Sequence, residues 1–405
     1  MTALSTSLNE PSWLRDRRVA AFRAYEAMAM PDPRAEEWRR TDISGLDLDI
    51  ALAQVGDAVT TWQAGGETPE AFARAQSLPQ RFYFGSLAEG LAGHEVAVKE
   101  RLNSLVLASD WKLSALQAAL SQEGTLIYVP RGVDVEVPLE VILRGEGGPV
   151  FPHILIVAEE NSSVTIISDV SSVDGDLQSL VSGAVEIFAA QDARVHFTER
   201  QRWGASVYSF STIRARVERG AQVTATLIGL GGRVARTKLE ADLVGEGARA
   251  ELLGLSLGNG KQHFDYQTLQ NHLAPHTSSD LLFKAALDGQ SSNVWYGTVR
   301  IHKGASQSEA SQSSRNLLLS DHAKAAPIPV LEIEAYDVLR CSHGATAGPV
   351  DPDQLFYLES RGVPPAEAES LLIEAFFHEV VDRLPVESFR EQIMEDINTK
   401  IGAQG

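Results

Sequence analysis

The chain carries a single cysteine, Cys341, among 405 residues. One thiol excludes an intramolecular disulfide and any knuckle of paired cysteines around a metal, and it fits a reducing compartment. Bases are scarce as well: 35 Lys and Arg stand against 54 Asp and Glu, a formal net charge of −19. Affinity for nucleic acid rests on cations clustered against phosphate. The basic runs RDRR (15–18) and WRR (38–40) are short and read as solvated helix faces, so nucleic acid is not an expected partner. No apolar run approaches bilayer-spanning length, and the opening residues, MTALSTSLNEPSWLRDRR, contain no apolar signal core. A soluble, cytoplasmic protein without membrane partners is expected. No G-x-x-x-x-G-K-[ST] loop and no G-x-S-x-G elbow occur, which removes a P-loop nucleotide hydrolase and a serine esterase from consideration.

What is present is a large apolar fraction, 44% of residues, ample for a substantial core. Residues 12–29 read as an amphipathic helix with Ser12 placed to cap it and Pro31 and Pro33 beyond its end. A mixed region follows, with a second helix expected at WKLSALQAALSQ, 111–122. At Gly124 the texture changes: TLIYVPRGVDVEVPLEVIL (125–143) alternates apolar and polar residues and is rich in Val and Ile, as strands are. That pattern continues for nearly 200 residues. Within it AEENSSVTII, AAQDARVHFT, VERGAQVTAT and VGEGARAELL repeat one design, a turn residue followed by an alternating strand. The turn residues Asn161, Asp192, Gly220 and Gly247 lie 31, 28 and 27 residues apart, and Gly304 fits as a later copy. Strands and turns at such a period predict a solenoid whose coils bury one another's apolar faces. A parallel β-helix is preferred to a β-sandwich, whose turns come at shorter, less regular intervals. After Pro364-Pro365, residues 366–384 and 386–401 read as two helices. The expected organisation is an N-terminal helical and mixed region (1–123), a β-helix core (124–350) and a C-terminal helical region (351–405).

Several motifs invite chemistry. Gly245-x-Gly247-x-x-Ala250 imitates a dinucleotide fingerprint, but alternation rather than a helix follows it, so it reads as a solenoid turn. His263, Asp265, His272 and His276 cluster in sequence; imidazole and carboxylate together can ligate iron or zinc, or can form a hydrogen-bonded ladder on the solenoid wall. Cys341 and His343, in RCSHGATAGPVD (340–351), share a strand face roughly 7 Å apart, a spacing suited to two ligands reaching one metal or cluster; an ordinary buried thiol beside a turn histidine is the plainer alternative. In the helix at 366–384, apolar residues including Leu372, Phe376, Phe377 and Val380 cover more than one face. Either the helix is wedged into the core or it offers a docking surface.

The stretch RNLLLSDHAKAAPIPVLEIEAYDVLRCSHGATAGPVDPDQLFYLESRGVPPAEAESLLIEAF (315–376), with HFDYQTLQNH, SSDLLFK and the early AEEWRRTDI (35–43), closely resembles the SufB/SufD family of the SUF iron–sulfur cluster assembly system. Length and the lone cysteine resemble its SufD branch. The resemblance implies a right-handed parallel β-helix flanked by helical regions, and a scaffold role rather than an enzyme. It implies a heterodimer with a SufB-like paralogue, or a homodimer of the isolated chain, and a SufC-like ABC-type ATPase docked on the C-terminal helices at Leu372, Phe376, Phe377 and Val380. It further implies that no cofactor is held stably by the isolated chain. Iron or an iron–sulfur cluster would reside transiently at the subunit interface, with His343 the functional residue and Cys341 beside it; His263, Asp265 and His272 are weaker candidates. Asp337-Val-Leu-Arg-Cys341 is one residue longer than the family's Asp-Val-x-Cys, and an extra residue turns later side chains to the opposite face unless a bulge absorbs it. Two other readings compete: a SufB-like homodimeric scaffold, and a β-helical polysaccharide-active enzyme, for which no compact acidic cluster appears.

Overall fold

The computed structural model describes residues 10–53, 58–64, 82–122, 124–173, 175 and 178–402. Strands between Gly124 and Gly348 wind into a parallel β-solenoid with two walls. One wall, sheet A, runs from Leu139–Gly145 through alternate strands to Arg340–Gly348; the facing wall, sheet B, runs from Gly124–Val129 to Lys324–Ile333. Every pairing within this range is parallel and in unbroken register. Like positions therefore stack: Val164 lies beside Val195, then Val223, then Ala250, and Ile166 beside Phe197, then Ala225, then Leu252. Alternation along each strand sends these residues inward, where they meet the inward residues of sheet B in one continuous apolar core.

The turns explain the sequence period. Asn161, Asp192, Gly220 and Gly247 all adopt left-handed backbone, with φ of 55°, 59°, 66° and 73°, a conformation open to Gly, Asn and Asp at little steric cost. Each donates its backbone N–H to the carbonyl one coil further on: Asn161 to Gln191, Asp192 to Arg219, Gly220 to Glu246, Gly247 to Pro275. The series continues at His276 and Gln307, with φ of 57° and 54° and the same bond to Ser306 and Asp337. Gln307, not Gly304, is therefore the later copy of the turn; the repeat is kept by backbone geometry where residue type no longer advertises it. The glycines of the dinucleotide look-alike lie in this column and lead into strand Arg249–Gly258.

The N-terminal region is built of helices and short strands. Helix Ser12–Ala27 starts without a side-chain cap, Pro11 holding the cap position, and a second helix covers Lys112–Leu120. A third, Leu87–Arg101, was not evident from periodicity; its path is broken by non-helical backbone at His94. The region also adds two antiparallel strands, Ala58–Ala64 onto Leu139–Gly145 and Tyr83–Ser86 onto Gly124–Val129, which close the first coil of each sheet. At the other end helices Pro365–Val381 and Glu387–Gly402 fold back over the outer face of sheet A, with helix Pro352–Ser360 ahead of them. No helix among the described residues is long and apolar enough to cross a membrane.

Candidate functional site

Strands Lys324–Ile333 and Arg340–Gly348 are the last members of their sheets, and among the described residues neither has a partner beyond it. Sheet B is blunted at this edge. The N–H of Lys324 turns back to Ser291 and that of Glu334 to Ile301, so the alternate residues, Pro327 and Pro329 among them, face outward, where proline's missing N–H removes no ladder bond. The final strand of sheet A carries no proline and presents an open backbone edge. Ile333, Tyr336 and Leu339, in and between the two strands, are 47%, 98% and 57% exposed.

Cys341 and His343 sit on that final strand, opposite Ala310 and Gln312 of the preceding coil. Both neighbours are buried and point inward, so Cys341 and His343 also take the inner face, at the mouth of the solenoid. Asp337–Leu339 form the connection before Arg340, and the ladder from Arg340 to Gly348 is continuous, without a bulge. The two side chains differ in surroundings. Cys341 is half-buried against the cluster of Val299, Ile301, Ala305, Ala310 and Ala335, and burial raises its pKa. The thiol is thus not the activated thiolate that a protonated neighbour would produce. His343 is exposed. Behind it Gln312 donates to the Val330 carbonyl at 3.3 Å while its Oε1 has no partner, and the indole N–H of Trp295 is likewise unpaired.

The interior changes character toward this mouth. Earlier coils turn Val, Ile and Phe inward; the strand Glu309–Leu318 turns in Gln312, Ser314 and Asn316. Asn316 accepts from Asn293 at 2.9 Å and donates to the Thr346 carbonyl at 3.0 Å. The Ser-rich sequence SQSSRN, to which sequence reasoning attached no role, supplies this lining; its signal was polar residues at positions that earlier coils fill with apolar ones.

His263, Asp265 and His272 do not come together as a metal site. His263 and Asp265 face the outside of sheet B under the N-terminal segment. Asp265, fully buried, accepts from Arg236, Thr41 and Gln267, and Arg236 also lies over the Trp38 ring at 4.0 Å and bonds the Glu37 carbonyl. His263 spends both ring nitrogens, on Thr41 at 3.0 Å and Ser292 at 2.7 Å. His272 points the opposite way, into the solenoid, and contacts Thr277 and Ser279, each at 2.8 Å; burial pushes its pKa down to about 4. These three clasp the N-terminal AEEWRRTDI segment and the last coils in place. Among the described residues no three His, Cys, Asp or Glu side chains converge to hold a metal ion.

The docking surface expected on the 366–384 helix also needs correction. Phe377 and Val380 are 0% and 1% exposed, buried with Ile373 against Leu253, Leu255, Leu257 and Leu282 of sheet A. Phe376 and Leu372 are partly buried, and Phe376 is held through Lys284, which lies 4.6 Å from its ring centroid and donates to its carbonyl. The apolar surface left over lies one helix earlier. Helix Pro352–Ser360 has no buried residue, and Phe356, Tyr357 and the adjoining helix's Leu371 are 71%, 57% and 42% exposed. The sequence places this stretch in the C-terminal helical region (351–405) without separating it as a helix of its own, although Asp351 as cap and Pro352 after it are helix-start signals.

Comparison with known proteins agrees with this geometry. Residues 141–376 match the family model described as SUF system FeS cluster assembly, SufBD core domain, and residues 65–141 match the SufBD protein N-terminal region. The chain is 28% identical to the iron–sulfur cluster assembly protein SufD of Bacillus subtilis, over 99% of this chain and 97% of that protein. It is 27% identical to a SufBD family protein of Staphylococcus epidermidis, over 96% of this chain and 89% of that one. With a two-walled parallel solenoid, helices at both ends and a core-domain match over more than half its length, the chain belongs to the SufBD family of SUF-system iron–sulfur cluster assembly proteins.

Proposed function

We propose that this chain is a SufD-type, non-catalytic subunit of a cluster-assembly scaffold, joined to a SufB-like paralogue through the open end of its solenoid. The observation that carries this reading is that end itself: bare strand edges, exposed Tyr336 and Leu339, and an incomplete ligand set at the mouth. Iron or an iron–sulfur cluster is the cargo. One thiol and one imidazole fall short of the four protein ligands a cluster commonly takes, so the partner supplies the rest. His343, exposed, is the ligand available before assembly. Cys341 remains a thiol until a metal displaces its proton. The second expected partner, a SufC-like ABC-type ATPase, docks on the apolar face of Phe356, Tyr357 and Leu371 rather than on the buried Phe377 and Val380.

The test is co-expression with SufB-like and SufC-like partners. Tyr336→Asp with Leu339→Asp is expected to abolish co-purification of the paralogue while leaving ATPase capture and Tm unchanged. Undiminished capture of the paralogue overturns the placement of the interface. A homodimer that holds a cluster by itself is the second reading, since two copies meeting at their open ends bring two thiols and two imidazoles together. Reconstitution of the pure chain with iron and sulfide separates the two: a stable, stoichiometric cluster favours the homodimer.

A further inference from the structure

Far from the open end, the first coils of the solenoid hold a small cavity between the walls, about 20 Å³, lined by Ser168, Glu199, Val141, Val185 and Trp203 among others. A space of that size holds one water molecule when polar groups line it. Ser168 and Glu199 are polar members of its lining, with Thr60, Thr125 and Ser211. Ser168 and Glu199 are direct neighbours across the pair of strands Ser163–Ser172 and Arg194–Arg202, and both take inward positions, in line with Ile166 and Phe197. Ser168 is 0% exposed and Glu199 9%. Ser168 Oγ has no hydrogen-bond partner, and Glu199 makes no hydrogen bond or ion pair with any described residue.

A carboxylate buried without a counter-charge is costly, and the group neutralises instead. Nothing nearby compensates it. Arg200 and Arg202 point to the outer face, where both bind Asp169. The strand facing it carries His153, but its imidazole is turned outward to Glu186 at 2.9 Å. From the next coils the approaching titratable group is Tyr266, itself uncharged, its hydroxyl pKa raised by burial. Leu227, the neighbour on the other side, is apolar.

We propose that Glu199 and Ser168 form an internal proton-uptake site, in which the neutral carboxyl and the hydroxyl share one buried water in the solenoid wall. Burial alone pushes the Glu199 carboxyl up from its ordinary 4.5 to about 7. The sign follows: between these values the folded chain holds a proton that the unfolded chain has released, so stability falls as pH rises through the window. The loss is about tenfold in the folding equilibrium per pH unit, complete above the folded value and absent below the unfolded one.

The experiment is a thermal-unfolding series of the full chain from about pH 4.5 to above about pH 7, wild type against Glu199→Gln. The wild type is expected to lose Tm relative to the variant across the window and to run parallel to it above. A constant difference at every pH overturns the proposal. Should Glu199→Gln fail to fold, infrared titration of the wild type decides: a protonated carboxyl band persisting near neutral pH supports the site, and its loss near the ordinary glutamate value refutes it. Ser168→Ala removes a dipole that helps the ionised form, so the midpoint should move upward; an unmoved midpoint removes Ser168 from the site.

Discussion

At its N-terminal end the solenoid is shut. Strands Ala58–Ala64 and Tyr83–Ser86 close the two sheets with antiparallel pairing, helix Leu87–Arg101 packs beside them, and fully buried Glu186 accepts the backbone N–H groups of Asn103, Leu105 and Val106 just beyond. At its C-terminal end the strands Lys324–Ile333 and Arg340–Gly348 have no partner strand beyond them among the described residues. Inside the first coils Ile127, Val129 and Ile154 join the apolar core, while Gln312 and Trp295 carry unpaired polar atoms near the open end. Any stack of coils must hide its terminal faces. One end does so with the chain's own residues; the other is left for something else, and the chain's only cysteine stands there.

Truncating the core tests the difference most severely. Leu126→Ala, at a fully buried position of the closed end, is expected to cost about 2–5 kcal/mol in denaturant unfolding without weakening association of the folded chain with its paralogue. A loss of that size from Ile333→Ala at the open end, where the side chain is 47% exposed, would break the contrast. His343→Ala is expected to change stability by less than about 0.5 kcal/mol, yet to stop cluster build-up on the assembled complex, followed by visible absorbance; normal build-up would remove His343 from the site. The smallest effect is kinetic. Because burial raises the Cys341 pKa above its ordinary 9.0, alkylation of the free chain should be slow at neutral pH and still accelerating beyond that value. In the complex it should cease. A fast reaction at neutral pH would mean a stabilised thiolate.

Much of the solenoid was legible in the sequence because its period is a local constraint. Asn161, Asp192, Gly220 and Gly247 tolerate left-handed backbone, and alternation between them fixes which residues face inward. The signal faded at His276 and Gln307, where the same turn is held by bonds to the next coil without a glycine to mark it. The site was legible in part. Cys341 and His343 share a face as their spacing requires, whereas His263, Asp265 and His272 are neighbours in sequence that strand alternation sends to opposite sides of the wall. The apolar helix after Pro365 could be read as core or as surface, since a sequence does not say how many of its faces are covered. Lys284 and the leucines of sheet A cover most of it, and the exposed patch passes to Phe356 and Tyr357.

Strand pattern, turn period, the missing phosphate loop and the family motif were determined by the sequence alone, because each depends on residue type at short range. Tertiary structure decided which end stays open, which histidines are already spoken for and where a lone carboxyl is buried. Those depend on what lies across a coil or folds back from a distant segment, and burial and unpaired edges exist only once the coils have stacked.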